Sequence, residues 1–273
     1  MSPWLESFVA LTVAAGGVLL GAWFSRLPKP FWLLGYFIPL SMIVVYSLVT
    51  RMPHLAFLPP FGWLLMGHSK LLVMGFIITM VLTTPMLKLP RMRDRYAVGA
   101  IMGLITLSMS VWPCLAPAFC RSQLQALKTK LDEDGICLQQ TDYTCGPASA
   151  VTALRKLGFQ AQEGELAILA RTAPSTGTPP DILAEALQTR YGEEGLVAEY
   201  RKFAGVGDLR GKGLVLAVIK FNLLMDHWVT VLEVDAEHVV VGDPMTGVRK
   251  YNYSQFAEVW RFVGVVLSRR ETN

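Results

Sequence analysis

The chain has 273 residues, of which 52% are hydrophobic and only 17% charged, with a mean hydropathy of +0.40. Soluble globular proteins carry about 25% charged residues, so part of this chain is expected in lipid; a disordered chain and, with four cysteines, a disulfide-dense scaffold are excluded. Of the net +4, residues 1–120 contribute +6 (eight basic, two acidic) and the remainder −2 (17 basic, 19 acidic), so the positive excess punctuates apolar stretches and does not form a nucleic-acid-binding face.

Crossing lipid takes about 20 residues of helix. Four stretches qualify: about Phe8–Trp23, Phe31–Val49, Leu71–Leu87 and Tyr96–Trp112. Trp4, Trp23, Trp32, Tyr36 and Trp112 fall at span ends, where amphipathic rings favour the lipid–water boundary. Pro85 is expected to kink the third span. The first span has no basic residue before it and no small-residue cleavage site, so it reads as a retained anchor. Gly17 and Gly21 have GxxxG spacing, which permits close helix approach; either a homodimer contact or packing within the bundle satisfies it. His54 and His68 read as interfacial loop residues. No Asp or Glu falls inside a span, so the usual mark of an ion pathway is missing.

Four spans place both chain ends on one side. Arg26 and Lys29 follow the first span, and Lys88, Arg91, Arg93 and Arg95 follow the third. The positive-inside rule puts those loops in the cytoplasm and both termini outside. The expected organisation is a transmembrane helical region over residues 1–118 and a soluble domain over 119–273.

In the soluble half, Ala148–Leu157 has helical spacing with Pro147 near its start and Gly158 beyond its end. Further helices are predicted over Glu163–Arg171 and from an N-cap at Thr178 to Tyr191. β-Branched runs then predict strands at Leu214–Ile219, Trp228–Val234, Val239–Gly242 and Phe262–Leu267, with a short helix at Ser254–Trp260 before the last. Helices first and strands later indicate an α+β domain. The glycines at 205, 207, 211 and 213 lack phosphate-loop spacing and read as a turn, so no nucleotide is expected. Ser175–Thr178 and Asn222–Asp226 read as polar surface loops.

Cys145 is followed by Gly146-Pro147 and then the first of these helices, which puts it at a helix N-terminus. The positive end of a helix favours the thiolate, the nucleophilic form of a cysteine. Of the two histidines in this half, His238 abuts the turn Asp235-Ala236-Glu237, whereas His227 opens a strand. A turn centred on Ala236 pairs residues whose numbers sum to 472, which puts His227 opposite Met245 and makes Asp243 its diagonal neighbour on the same sheet face. A carboxylate there can hold one imidazole nitrogen and present the other to a thiol. An oxyanion donor is also needed, and the amide of Gln139 or Gln140 stands just upstream of Cys145.

The segment Gln139-Gln-Thr-Asp-Tyr-Thr-Cys145-Gly-Pro-Ala resembles the active-site stretch of the bacteriocin-processing cysteine peptidases, which remove double-glycine leader peptides. A Gln six residues before Cys-Gly, a His opening a strand at His227-Trp-Val-Thr-Val, an Asp-Pro sixteen residues later at Asp243, and the trailing Gly247, Phe256, Trp260, Gly264 and Leu267 carry the resemblance in order, from about Cys120 onward. It implies a papain-like cysteine peptidase with Cys145 as nucleophile, His227 as base and then acid, Asp243 orienting His227, and Gln139 as oxyanion donor, with Gln140 the alternative. It implies a peptide or protein substrate, no cofactor and no metal. Well-known members carry the peptidase at the N-terminus of an ATP-driven transporter; here it follows the spans and no Walker motif is present, so export by this chain is not expected.

The expected protein is thus a multi-pass protein of a bacterial inner or plasma membrane: an α-helical transmembrane bundle of about four helices, then an α+β papain-like peptidase facing outward. A silent peptide-binding module, and an amidase or acyl transferase using the same triad, are the alternatives. In an oxidising compartment Cys120 and Cys137 can pair; free thiols at Cys114, Cys120 and Cys137 are the other reading.

Overall fold

A computed structural model describes residues 3–52, 55, 57–61, 69–222 and 225–270. His54 and His68 lie outside these residues. The chain divides into two compact units, Met1–Ala118 and Phe119–Asn273.

Four helices of the first unit are long and apolar enough to cross a membrane: Pro3–Arg26, Phe31–Val49, Ser69–Met86 and Met92–Phe119. Lipid offers the backbone no hydrogen bonds, so a spanning helix must satisfy its own. The first and last helices accordingly run beyond their apolar stretches. The first takes Glu6 into its opening turn, where a carboxylate complements the helix dipole. The last passes through a π-turn at Leu107–Val111. Pro85 lies in the final turn of its helix, so it marks the helix end and not a mid-span kink.

Gly17 and Gly21 face the helix Ser69–Met86. A Cβ on Gly17 would collide with Thr79 Oγ1 and the Phe76 carbonyl, and one on Gly21 would sit 2.8 Å from the Met80 carbonyl. The face read as a dimer contact is therefore filled from within the chain. Gly75 similarly leaves room for Ser110, whose hydroxyl donates to the Leu71 carbonyl at 2.7 Å. The outer faces carry Phe8, Leu19, Phe37, Val44 and Leu104, all exposed, the arrangement expected where hydrocarbon is the solvent.

The second unit contains strands β1 (Lys130–Leu131), β2 (Cys137–Leu138), β3 (Leu196–Lys202), β4 (Leu214–Lys220), β5 (Asp226–Val234), β6 (His238–Asp243), β7 (Gly247–Asn252) and β8 (Trp260–Arg269). β1 and β2 form a small hairpin, and the others form an antiparallel sheet in the order β3-β8-β4-β5-β6-β7. Helices Cys145–Lys156, Glu163–Leu169 and Pro180–Tyr191 precede the sheet. The helix Cys145–Lys156 packs against β5, and its first ten residues are buried. Fully buried Ala148, Ala150 and Ala153 keep it slim, so backbone can approach backbone. Val215, Ala217, Val229, Val231, Val239 and Val241 form a core under Phe256 and Trp260.

Three expectations need correction. Thr178 is not an N-cap: Pro179 precedes the helix that starts at Pro180, and the Thr178 hydroxyl pairs with that of Thr172 at 2.8 Å. Proline suits the helix start because its missing N–H would go unpaired there anyway. Thr178 is also buried, not part of a surface loop. Strands β1, β2, β3 and β7 were not predicted; β3 and β7 are the sheet edges and carry charged residues, β7 largely exposed and β3 mostly half-buried. The glycine-rich stretch is a turn as expected, a 3₁₀ turn at Val206–Leu209 followed by left-handed Gly211 and Gly213 before β4.

Candidate active site

Cys145 is the first residue of its helix and is buried. At that position the backbone N–H has no carbonyl one turn earlier to pair with. Gly146 follows because nothing larger fits: a Cβ there would lie 2.8 Å from Thr178 Cβ. Pro147 is tolerated in the same first turn.

His227 and Asp243 are set by the β5–β6 hairpin. Near the turn the pairs are Val234 with Val239 and Glu233 with Val240, which sum to 473. The register shifts between Val231 and Glu233, and the pairs Val231–Val241 and Thr230–Gly242 then sum to 472. The turn is thus centred between Ala236 and Glu237, half a residue from its expected place, and an irregularity at Leu232 restores the phase assumed from sequence. His227 and Asp243 consequently share a face, and His227 Nε2 lies 2.9 Å from Asp243 Oδ1. The same carboxylate oxygen accepts the Met245 N–H at 2.8 Å, so Asp243 also shapes the turn into β7. Its Oδ2 is 3.6 Å from the half-exposed Arg249 guanidinium.

Burial works against a charged imidazole, yet hydrogen bonds to Asp243 and Cys145, together with their negative charge, raise the His227 pKa to about 9. Burial works against the Asp243 carboxylate too, and bonds from His227 and the Met245 N–H hold its pKa below the ordinary value. The His227 ring thus stands between the Asp243 carboxylate, held at Nε2, and the Cys145 side chain.

Gln139 is half-buried and Gln140 exposed. The Gln139 backbone N–H donates to the Pro244 carbonyl at 2.9 Å, and its Nε2 donates to the Thr141 carbonyl at 2.8 Å. The Gln140 amide turns away, toward the Leu138 carbonyl at 3.3 Å. An open cavity of about 360 Å³ lies beside Gln139, lined by Lys130, Leu138, Thr141, Pro244 and Met245. On the other side, the exposed Phe221 ring is centred 5.8 Å from His227. Among the described residues no three His, Cys, Asp or Glu side chains converge as a metal site would require.

All four cysteines are free thiols, so Cys120 and Cys137 are not paired. Cys137, the buried first residue of β2, faces the helix Cys145–Lys156, with its N–H on Thr152 Oγ1 at 2.9 Å. Burial, with the nearby Glu163 charge, pushes its thiol up to about 12, against Arg155 and a backbone bond at Lys130.

Glu163 was missed as a part of this region. It is fully buried, and its Oε1 accepts the Gln140 N–H at 3.0 Å. An acid at a helix start ordinarily signals only favourable dipole placement, so sequence offered no sign of its burial.

The second unit is an α+β domain in which Asp243 is hydrogen-bonded to His227. A family model described as the Peptidase C39 family matches residues 134–273, and the chain belongs to that family. An uncharacterized protein of Methanothermobacter marburgensis is 29% identical over 145 residues, covering 53% of this chain and 96% of that protein. One from Methanothermobacter thermautotrophicus is 31% identical over 121 residues, covering 44% and 79%. Among solved structures, the double glycine motif protease of an AMS/PCAT transporter, in complex with the leader peptide, aligns at 16% identity and a TM-score of 0.43, covering 53% of this chain and 96% of that one. The peptidase domain of Streptococcus ComA, a bifunctional ABC transporter of a quorum-sensing pathway, aligns at 21% identity and a TM-score of 0.41, covering 49% and 96%.

Proposed function

We propose that the chain is a membrane-anchored cysteine peptidase acting on a peptide or on an exposed part of another protein. Residues 1–118 serve as the lipid anchor, and residues 119–273 carry the activity on the outer face of the membrane, the side indicated by the basic loops after the first and third spans. Cys145 is the nucleophile, His227 the base and then acid, Asp243 the residue that orients His227, and Gln139 the oxyanion donor. The observation that carries this reading is the His227 ring held 2.9 Å from Asp243 beside the Cys145 side chain.

In the first step Sγ bonds to the substrate carbonyl carbon while His227, whose raised pKa of about 9 favours the imidazolium, already holds the proton that it later delivers. The carbonyl π electrons move to oxygen, and the oxyanion is met by the Cys145 N–H and the Gln139 amide, whose nitrogen keeps one hydrogen beyond that engaged by Thr141. Collapse re-forms the carbonyl and breaks the C–N bond, and His227 delivers its proton to the leaving amine. Water, deprotonated by His227, then attacks the thioester, releasing the acid and restoring the thiolate. The cavity beside Gln139, with Met245 in its lining, and the exposed Phe221 beside His227 offer an extended chain polar and apolar contacts.

The test is site-resolved mass spectrometry of the full chain in detergent after brief exposure to iodoacetamide at neutral pH. Cys145 is expected to label before buried Cys114 and Cys137. His227→Ala should slow Cys145 labelling by about tenfold or more, the scale of a positioned base. Equal rates in wild type and His227→Ala would remove the basis for this reading.

A further inference from the structure

Glu163 is fully buried, an uncommon place for a carboxylate without a partner of opposite charge. Its Oε1 accepts the Gln140 N–H at 3.0 Å, and its own N–H donates to Thr129 Oγ1 at 2.9 Å. Its Oε2 is enclosed with no hydrogen-bond partner among the described residues. Burial pushes the carboxyl pKa up, against the Thr144 hydroxyl and the Gln140 N–H, which favour the charged form. An apolar side chain of similar size would avoid this desolvation. What the carboxylate gains is a hold on one short segment. Gln140, whose N–H it accepts, adjoins Gln139. The segment is already fixed on its other flank, where the Gln139 N–H meets the Pro244 carbonyl of the turn that follows Asp243.

We propose that Glu163 is a positioning residue for the peptidase reaction, fixing the backbone at Gln140 and thereby the placement of the Gln139 amide relative to Cys145 Sγ. The proposal rests on the peptidase reading above. Glu163 touches neither substrate nor the reacting atoms; it acts through the loop. Because small displacements of an oxyanion donor are costly to reactions that build negative charge on oxygen, its loss should harm such reactions selectively and spare the displacement of a halide by the same sulfur.

Two probes separate these effects on the full chain in detergent. N-acetyl-Gly-Gly-aldehyde adds Sγ to its carbonyl carbon, and the thiol proton ends on the former carbonyl oxygen, which occupies the oxyanion position. Iodoacetamide forms the S–C bond with loss of iodide and builds no oxyanion. Glu163→Met is expected to weaken the aldehyde by about tenfold or more while Cys145 alkylation stays within about threefold of wild type. Glu163→Gln, which keeps an acceptor for the Gln140 N–H, should return aldehyde affinity to within about threefold of wild type. Buried Cys137 reports integrity and should stay unlabelled in both; if Glu163→Met does not fold, Glu163→Leu replaces it. Wild-type aldehyde affinity in the apolar variant overturns the proposal. So does Glu163→Gln behaving like Glu163→Met, or a joint loss of both reactions as Cys137 becomes reactive, which would make the role merely structural. A wild-type Cys145 indifferent both to the aldehyde and to His227→Ala overturns the peptidase reading itself, and this proposal with it.

Discussion

The Thr230 hydroxyl donates a 2.8 Å hydrogen bond to the Ser149 carbonyl, and both residues are fully buried. Thr230 stands three residues after His227 on β5, and Ser149 four residues after Cys145 on its helix. One bond therefore ties the strand carrying the imidazole to the helix carrying the thiol. Thr230→Val keeps the shape and removes the donor, and should cost about 1–2 kcal/mol in denaturant unfolding. Ser149→Ala is the contrasting case, since the buried Ser149 hydroxyl has no partner among the described residues. Its removal should leave stability unchanged or raise it by up to about 1 kcal/mol.

Gly146→Ala should be poorly tolerated. The added methyl would meet Thr178 at Cβ, Oγ1 and Cγ2, and Thr178 is pinned by the Trp228 indole, which donates to its carbonyl at 3.1 Å. Overpacking of this kind costs about 1–3 kcal/mol. Thr178→Gly in the same chain should recover part of that loss, and a double-mutant cycle on melting temperature reads the coupling.

Stability should depend on pH through His227. Its folded-state pKa of about 9 lies above its ordinary 6.5, so the stabilisation is full below pH 6.5 and is lost as pH rises through about 9. Asp243→Asn removes the hydrogen-bonded carboxylate that raises it. The wild-type melting temperature should therefore fall between pH 6.5 and pH 9, and the Asn variant should show a flatter curve. Asp243 has the opposite sign: its lowered pKa adds stability above the ordinary 3.8 that is lost as pH falls further.

In the membrane region, Gly21→Val should destabilise the monomer. The new side chain would press on the Met80 carbonyl and Thr83, at a cost of about 1–3 kcal/mol. Thermal melting in detergent should register the loss, with the sedimentation profile of the folded fraction unchanged.

Local chemistry made much of this arrangement legible in sequence. Cys145 before Gly146-Pro147 announces a helix start, and a turn near Ala236 puts His227 and Asp243 on one face once the shift beside Leu232 restores the register. The apolar stretches announced four helices because lipid demands length and hydrophobicity directly. What sequence hid depends on distant packing. β3 and β7 carry Glu199, Lys202, Arg249 and Lys250 on exposed positions, and an edge strand needs no apolar alternation. Thr178 looks like a cap because its partners, Thr172 and Trp228, approach only in the folded domain. Glu163 looks solvated because β2 and the Cys145 loop that cover it are drawn in from elsewhere in the chain.

The register shift beside Leu232 bears on how this hairpin tolerates change. A turn that gains or loses a residue ordinarily inverts every side chain beyond it. Here one odd residue is absorbed within the strand before the imidazole is reached, so the reactive end keeps its orientation regardless of the half-step at the tip. Insertions at Asp235–His238 accompanied by a compensating change at Leu232 are thus a route by which the hairpin can vary in length while its business end stays put.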